Sequence, residues 1–310
     1  MREIVYEASN GEHKIYALIW EPEKAVKGVF QISHGMNEYA ERYGEFAGFL
    51  TSNGFAVCAN DHAGHGKSVN KTRGYFGKTD GWRHLVDDMY KLHELVCGDY
   101  ADLPYFMLGH SMGSFLARAY CAIYGSSLTG AIFSGTSDAP WNLPFGRLLD
   151  RLAIKFGGAE SEGKIFSRMS SGSYNNKFKP NRTGSDWLTR DAGKITDFLN
   201  DERSKFTFTN SGYGDLFGVL SFISQKNWAQ SLPGQLPVLL FSGSEDPLSE
   251  GGKGVFKVFK RLTAAGCQDV TLKLYGQGRH EMLNEINRRE VYADILNWMS
   301  FRMEVEKHPK

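Results

Sequence analysis

The stretch Tyr105-Phe106-Met107-Leu108-Gly109-His110-Ser111-Met112-Gly113-Ser114-Phe115-Leu116-Ala117-Arg118 decides the fold. An apolar run ends in G-x-S-x-G, and the residues after it have helical spacing. That order predicts a strand, a sharp turn and a helix, with Ser111 at the apex. The glycines have a steric reason. A serine held at a strained turn with its oxygen pointing outward leaves no room for a β-carbon two residues before or after it. The pentapeptide occurs once in the sequence.

Outward from this turn, short apolar strands alternate with helices. Ile4–Ala8 and Lys14–Trp20 flank Asn10-Gly11 and predict an antiparallel hairpin. Ala25–Ser33 reads as a third strand, Arg42–Asn53 as a helix capped by Gly54, and Phe55–Ala59 as a buried strand. Trp82–Val96 is amphipathic, with Leu85, Val86, Met89, Leu92 and Val96 on one face. Leu128–Ser134 is the next strand. The alternation then lapses and resumes at Leu236–Ser242, followed by a helix over Gly254–Ala265, a strand over Val270–Tyr275 and a helix over Asn284–Met303. This rhythm predicts right-handed crossovers and a mostly parallel sheet, an α/β fold. The expected division is a core of residues 1–136 and 232–310 with an inserted helical cap over 137–231.

The 310 residues carry 36 basic and 35 acidic side chains, and no long run of Lys or Arg, which argues against nucleic acid as a partner. Cys58, Cys97, Cys121 and Cys267 are widely spaced, form no C-x-x-C pair and read as reduced thiols. No stretch has the length of a signal peptide or a transmembrane span, so the expected location is cytoplasmic, with the membrane periphery open to a lid.

A serine hydroxyl needs a base to attack at neutral pH, usually a histidine oriented by a carboxylate. In such a sheet the partners collect beyond the carboxyl ends of later strands. Gly243-Ser244-Glu245-Asp246-Pro247 supplies an acid, with Asp246 preferred to Glu245, and Gly276-Gln277-Gly278-Arg279-His280 supplies a histidine. The expected catalytic set is Ser111, Asp246 and His280. The oxyanion needs two fixed N–H donors. Met112 at the helix start is one expected donor and Met36, after His34 and the permissive Gly35, is the other. His280-Glu281-Met282-Leu283-Asn284 lacks the second histidine of a zinc-protease helix, and Asp61, His62 and His65 read as a hydrogen-bonded turn. No metal or organic cofactor is expected.

On a helical projection Phe145, Leu148, Leu149, Leu152 and Phe156 share one face, with Arg147, Arg151 and Lys155 on the other. Two readings stand: a lid helix touching a membrane or micelle surface, or a helix whose apolar face packs on the core. The expected substrate contacts are His34, Gly35, His110, Leu148, Leu149 and Leu152.

Taken together, these segments resemble the monoglyceride lipase and lysophospholipase group of α/β-hydrolases. His34-Gly35-Met36-Asn37-Glu38-Tyr39 with Glu41-Arg42-Tyr43 is similar to its oxyanion segment. Asp61-His62-Ala63-Gly64-His65-Gly66-Lys67-Ser68 resembles its D-x-x-G-H-G-x-S turn, although Ala63 stands where many relatives have arginine. Gly109-His110-Ser111-Met112-Gly113 matches its elbow, and His280-Glu281-Met282-Leu283-Asn284-Glu285 its H-E-h-x-x-E segment. The resemblance implies an α/β-hydrolase fold, the same triad and oxyanion donors, and a cap over an acyl-binding tunnel. The expected substrate is a lipid-like ester, a monoacylglycerol or a lysophospholipid. A short-chain or aryl carboxylesterase, a fold-related aminopeptidase and a non-catalytic ligand-binding hydrolase fold are the alternatives.

Overall fold

A computed structural model describes residues 1–138, 142–170 and 173–307. Eight strands form one sheet: β1 Arg2–Glu7, β2 Lys14–Trp20, β3 Gly28–Ser33, β4 Phe55–Asn60, β5 Tyr105–His110, β6 Gly130–Ser134, β7 Val238–Gly243 and β8 Val270–Tyr275, in the order β1-β2-β4-β3-β5-β6-β7-β8. The first two strands are an antiparallel hairpin, and β2 also runs antiparallel to β4. Gly11, at the hairpin tip, has φ of 67°, the left-handed conformation that Asn-Gly predicts there. All remaining neighbours are parallel, and β3 to β7 are buried along their length, which explains their unbroken apolar runs.

Helices cover both faces. On one side lie α1 (Gly44–Ser52) and, at the other end of the chain, the helix Arg288–Lys307, which buries Val291, Tyr292, Ile295 and Met299 against Phe46, Leu50 and Phe106. On the opposite side, α2 (Gly81–Asp99) and α3 (Met112–Tyr124) bury the predicted stripe of Leu85, Val86, Met89, Leu92 and Val96 with Leu116 and Tyr120. The predicted Arg42–Asn53 helix is split. Ala40–Tyr43 is a 3-10 turn whose first amide, that of Ala40, donates to Asp61 Oδ1 at 2.7 Å, and α1 begins after it.

Between β6 and β7 the described residues carry α4 (Leu143–Gly157), α5 (Lys164–Ser170), α6 (Ala192–Asn200) and α7 (Asn210–Ser224). The last of these buries Val219 and Ile223 in the same cluster as α2 and α3. Strand order reverses at β3, which has β4 on one side and β5 on the other. A crevice therefore opens where the loops after β3 and β5 part, the usual place for ligands in such sheets. The register aligns Ser33 with Gly109 and His110 with Ser134, so these loops leave the sheet at one level.

Candidate active site

At the apex of the β5–α3 turn, Ser111 has φ 53° and ψ −120°. That is a strained conformation for any residue with a β-carbon. The crowding around it accounts for both glycines. A β-carbon on Gly109 would lie 2.2 Å from the Gly113 carbonyl oxygen, and one on Gly113 would lie 2.0 Å from that of Ser33. Ser111 donates its amide to Ser134 O at 3.0 Å, which fixes the turn to β6. Its residue is largely buried but lines the main cavity.

The acid and base candidates meet beyond β7 and β8. His280 Nδ1 lies 3.1 Å from Asp246 Oδ1, and both side chains are buried. Ser242 Oγ donates to the other Asp246 oxygen at 2.8 Å, and the Leu248 amide donates to Oδ1 at 2.9 Å. Burial would raise Asp246, but His280 and these donors outweigh it and hold the carboxyl low. Burial would likewise lower His280, and Asp246 outweighs that, leaving the imidazole above its ordinary value. The remaining ring nitrogen, Nε2, is buried with no hydrogen-bond partner among the described residues. Of the two acids in this turn Asp246 is the one in contact with His280, whereas Glu245, partly exposed, pairs with Lys177 at 2.8 Å. Gly135, with φ 56°, leaves space that the His280 ring fills, since a β-carbon there would lie 3.0 Å from its Cε1.

The loop after β3 packs on the elbow. A β-carbon on Gly35 would lie 3.2 Å from Ser111 Cβ and 2.8 Å from Glu38 Oε2. Glu38 Oε2 accepts the Gly35 amide at 2.7 Å and the Tyr43 hydroxyl at 2.8 Å. Arg42 then spans two carboxylates, with Nε 3.3 Å from Glu38 and Nη2 3.3 Å from Glu281. Glu38, Arg42 and Glu281 stand in the motif segments of the sequence, but spacing alone assigns them no role. Glu38, His110 and Glu281 have ligand atoms within 4.8 Å of one another. The Arg42 cation, Tyr43, the Gly35 amide and Asn284 already satisfy the two carboxylates, so the cluster suits an ion pair rather than a metal.

A cavity of about 790 Å³ joins these groups. Gly35, Met36, His110, Ser111, Met112 and His280 all line it. One part of its wall is apolar, with Leu143, Phe166, Phe217 and Leu220 from the helices between β6 and β7. Another is polar and uncharged, with Asn175, Asn176, Asn181, Thr183 and Ser185. No lysine or arginine lines it among the described residues. Trp187, which no spacing rule singles out, lines it too and lies over His280 with ring centroids 4.9 Å apart.

Four expected substrate contacts fall elsewhere. His34 does not line the cavity. Its ring is buried behind the loop, where Nε2 accepts the His62 amide at 2.9 Å and the ring packs on those of His62 and His65. Leu148, Leu149 and Leu152 do not line it either. In α4 the residues that turn inward are Leu143, Gly146 and Asp150. Small residues set this rotation. A β-carbon on Gly146 would just touch the Phe217 ring, at 3.5 Å, and Asp150 packs so closely on Gly214 that a β-carbon there would lie 2.4 Å from its carboxylate. Phe145, Leu148, Leu152 and Phe156 are left 56%, 54%, 44% and 79% exposed, so of the five apolar residues only Leu149 packs, partly buried, against the core.

The sequence pattern of the family described as serine aminopeptidase, S33 matches residues 24–287. The chain is 35% identical over 296 residues to a monoglyceride lipase homolog of Monkeypox virus, covering 93% of this chain and 95% of the relative. It is 25% identical to the monoglyceride lipase of Mus musculus, over 93% and 88% of the two chains. Its fold is similar to that of a thermostable carboxyl esterase from Bacillus coagulans solved with glycerol, at 29% identity and a TM-score of 0.91 over 97% and 98%. Motif, fold and relatives agree: the chain belongs to the serine aminopeptidase S33 family and is a hydrolase enzyme of its α/β-hydrolase, monoglyceride lipase group.

Proposed function

We propose that the protein hydrolyses monoacylglycerols through an acyl-enzyme on Ser111. The observation that carries the reading is the Asp246–His280 pair with its free Nε2, set around the same cavity as a strained serine. Ser111 Oγ adds to the ester carbonyl and its proton passes to His280 Nε2, while Asp246 holds the Nδ1 proton. The Met36 and Met112 amides receive the oxyanion. Met112 opens α3, where unpaired amides and the helix dipole favour negative charge. Collapse expels glycerol, protonated by His280, and water then cleaves the acyl-enzyme by the same route in reverse. No metal enters these steps.

The cavity supports the choice of head group. Its polar wall offers amides and hydroxyls suited to a polyol, and its apolar wall suits an acyl chain. A lysophospholipid would bring a phosphate, and among the described residues no lysine or arginine lines the cavity to pair with it. The aminopeptidase reading needs an acid free to hold an amine. Of the acids that line the cavity, Glu38 and Glu281 share Arg42, Asp138 pairs with Arg261 at 2.9 Å and Glu250 with Lys257 at 3.9 Å, while Asp150 does not line it and Glu160 accepts from Thr72. A turnover panel of monoacylglycerols, lysophospholipids, short esters and aminoacyl amides tests this. Monoacylglycerols should lead, and a lead for lysophospholipids or aminoacyl amides would overturn the substrate assignment.

The helices between β6 and β7 act in this reading as the cap, residues 137–231, over that cavity. The exposed apolar face of α4, flanked by Arg147, Arg151 and Lys155, is the surface that meets a membrane or micelle holding the substrate. No helix of the described residues is long and apolar enough to cross a membrane.

A further inference from the structure

Glu285 lies outside the cavity lining, yet its wholly buried carboxylate ties together two segments that meet at His280. Oε1 accepts the amides of Arg190 at 3.1 Å and Arg279 at 3.0 Å. Oε2 accepts Arg190 Nε at 2.9 Å and the Ile286 amide at 3.0 Å. Arg279 immediately precedes His280. Arg190 ends the segment whose Trp187 ring lies over the imidazole.

The two segments are joined along their length. The Glu281 amide donates to Leu188 O at 2.7 Å, and the His280 amide to Trp187 O at 3.4 Å. Thr189 Oγ1 donates to Asn284 O at 3.0 Å, and Arg279 Nη1 to Thr189 O at 3.2 Å and to Asp186 O. A buried carboxylate without such donors would carry a large desolvation cost, and here four N–H groups offset it. Those donors come from both sides of His280's surroundings, so the charge holds a shape that neither segment fixes alone.

We infer that Glu285 is a positioning residue: through the Arg279 amide and Arg190 it sets the turn that bears His280 and holds Trp187 over the imidazole. This rests on the reading of His280 as the base. The ring is faced by Asp246 from the turn after β7, by His110 from the elbow, by Glu38 from the loop after β3 and by Glu281 from its own turn. A shift of the turn changes its distance to Asp246, His110 and Glu38, which stand on other elements.

Glu285→Gln is the direct test, because it keeps the volume and replaces one acceptor oxygen by an NH2 group that must face N–H donors. Wild type, E285Q and R190Q are compared by thermal melting, by fluorophosphonate titration of active sites, and by kcat and KM on a p-nitrophenyl ester across pH. For E285Q, kcat per titrated site should fall about 10²-fold, the scale of a misplaced catalytic group. KM should change little, and the acid limb of kcat/KM should move to lower pH as the histidine loosens from Asp246. R190Q should show the same pattern, about tenfold in kcat, the lower end of the outer-shell losses known at metal sites. Folded E285Q with wild-type kcat per site and an unmoved acid limb would overturn the inference. So would a fall in melting temperature or titrated sites alone, which is what a purely structural role gives. If E285Q does not fold, R190Q decides by the same criteria. Full turnover by H280A would overturn the base assignment itself, whereas inactive H280A beside an unaffected E285Q removes only the role of Glu285.

Discussion

His280 Nδ1 and Asp246 Oδ1 are 3.1 Å apart in a site shielded from water, and the pair sets the direction of both titrations. Asp246 lifts the imidazole above its ordinary value of 6.5 against the opposing effect of burial. Protonated His280 cannot accept the serine proton. The acid limb of kcat/KM should therefore be centred above pH 6.5 in the wild type. Asp246→Asn removes the largest raising charge while burial remains, so the limb should move to lower pH while kcat falls by on the order of 10⁴-fold. Steady-state kinetics from pH 5 to 9 check both shifts. An acid limb that stays in place in D246N would contradict the pairing.

Ser111 stores backbone strain that its function requires. With φ at 53°, Ser111→Gly should relieve about 1–3 kcal/mol and raise the stability of the folded chain while abolishing turnover. Urea unfolding of the variant beside Ser111→Ala checks this, since alanine keeps the β-carbon and should give no comparable gain. Gly113→Ala is the converse case. A β-carbon 2.0 Å from the Ser33 oxygen cannot be accommodated, and the variant should fail to accumulate in folded form.

Arg42 holds two buried carboxylates at once. Burial raises Glu281, whereas His110, Arg42 and the Tyr43 hydroxyl bring Glu38 down against burial. Arg42→Met leaves both acids without their cation and should cost about 3–5 kcal/mol in chemical denaturation. Adding Glu281→Gln should restore part of that loss, because one stranded charge is removed. A double variant no more stable than R42M would mean that the pairing contributes nothing.

Leu148→Ser, Leu152→Ser and Phe156→Ser together should weaken flotation with anionic phospholipid vesicles at least tenfold. Turnover of a soluble p-nitrophenyl ester should stay within about twofold, since none of the three lines the cavity. Unchanged vesicle binding would remove α4 from the membrane contact, and lost soluble turnover would return these residues to the substrate path.

Much of the core was legible because its signals are local. A parallel sheet buried on both faces writes continuous apolar runs, and β8 falls on Val270–Tyr275 as the periodicity predicts. The Ser, Asp and His positions follow from the rule that such groups gather at strand ends, and the structure brings Asp246 and His280 into contact. Tertiary packing decided what the sequence left open. Apolar periodicity placed five residues of α4 on one face but could not say which way that face turns. Gly214 lets Asp150 of α4 pack closely on α7, and most of the apolar face is left outward. His34 looked like a substrate contact from its place beside Gly35, and the His62 amide instead holds its ring behind the loop. Trp187, Arg42 and Glu285 each have, beside any local partner, one 93 to 239 positions away, such as Trp187 with His280 and Arg42 with Glu281, a separation that no spacing rule spans.

Reaction with a fluorophosphonate, followed by peptide mass mapping, measures the central claim most directly. The account predicts one adduct per chain, on Ser111, formed quickly by the wild type and at least 10³-fold more slowly by His280→Ala, whose serine has lost its base. A folded wild-type protein that remains unlabelled, or an adduct on another serine, would contradict it.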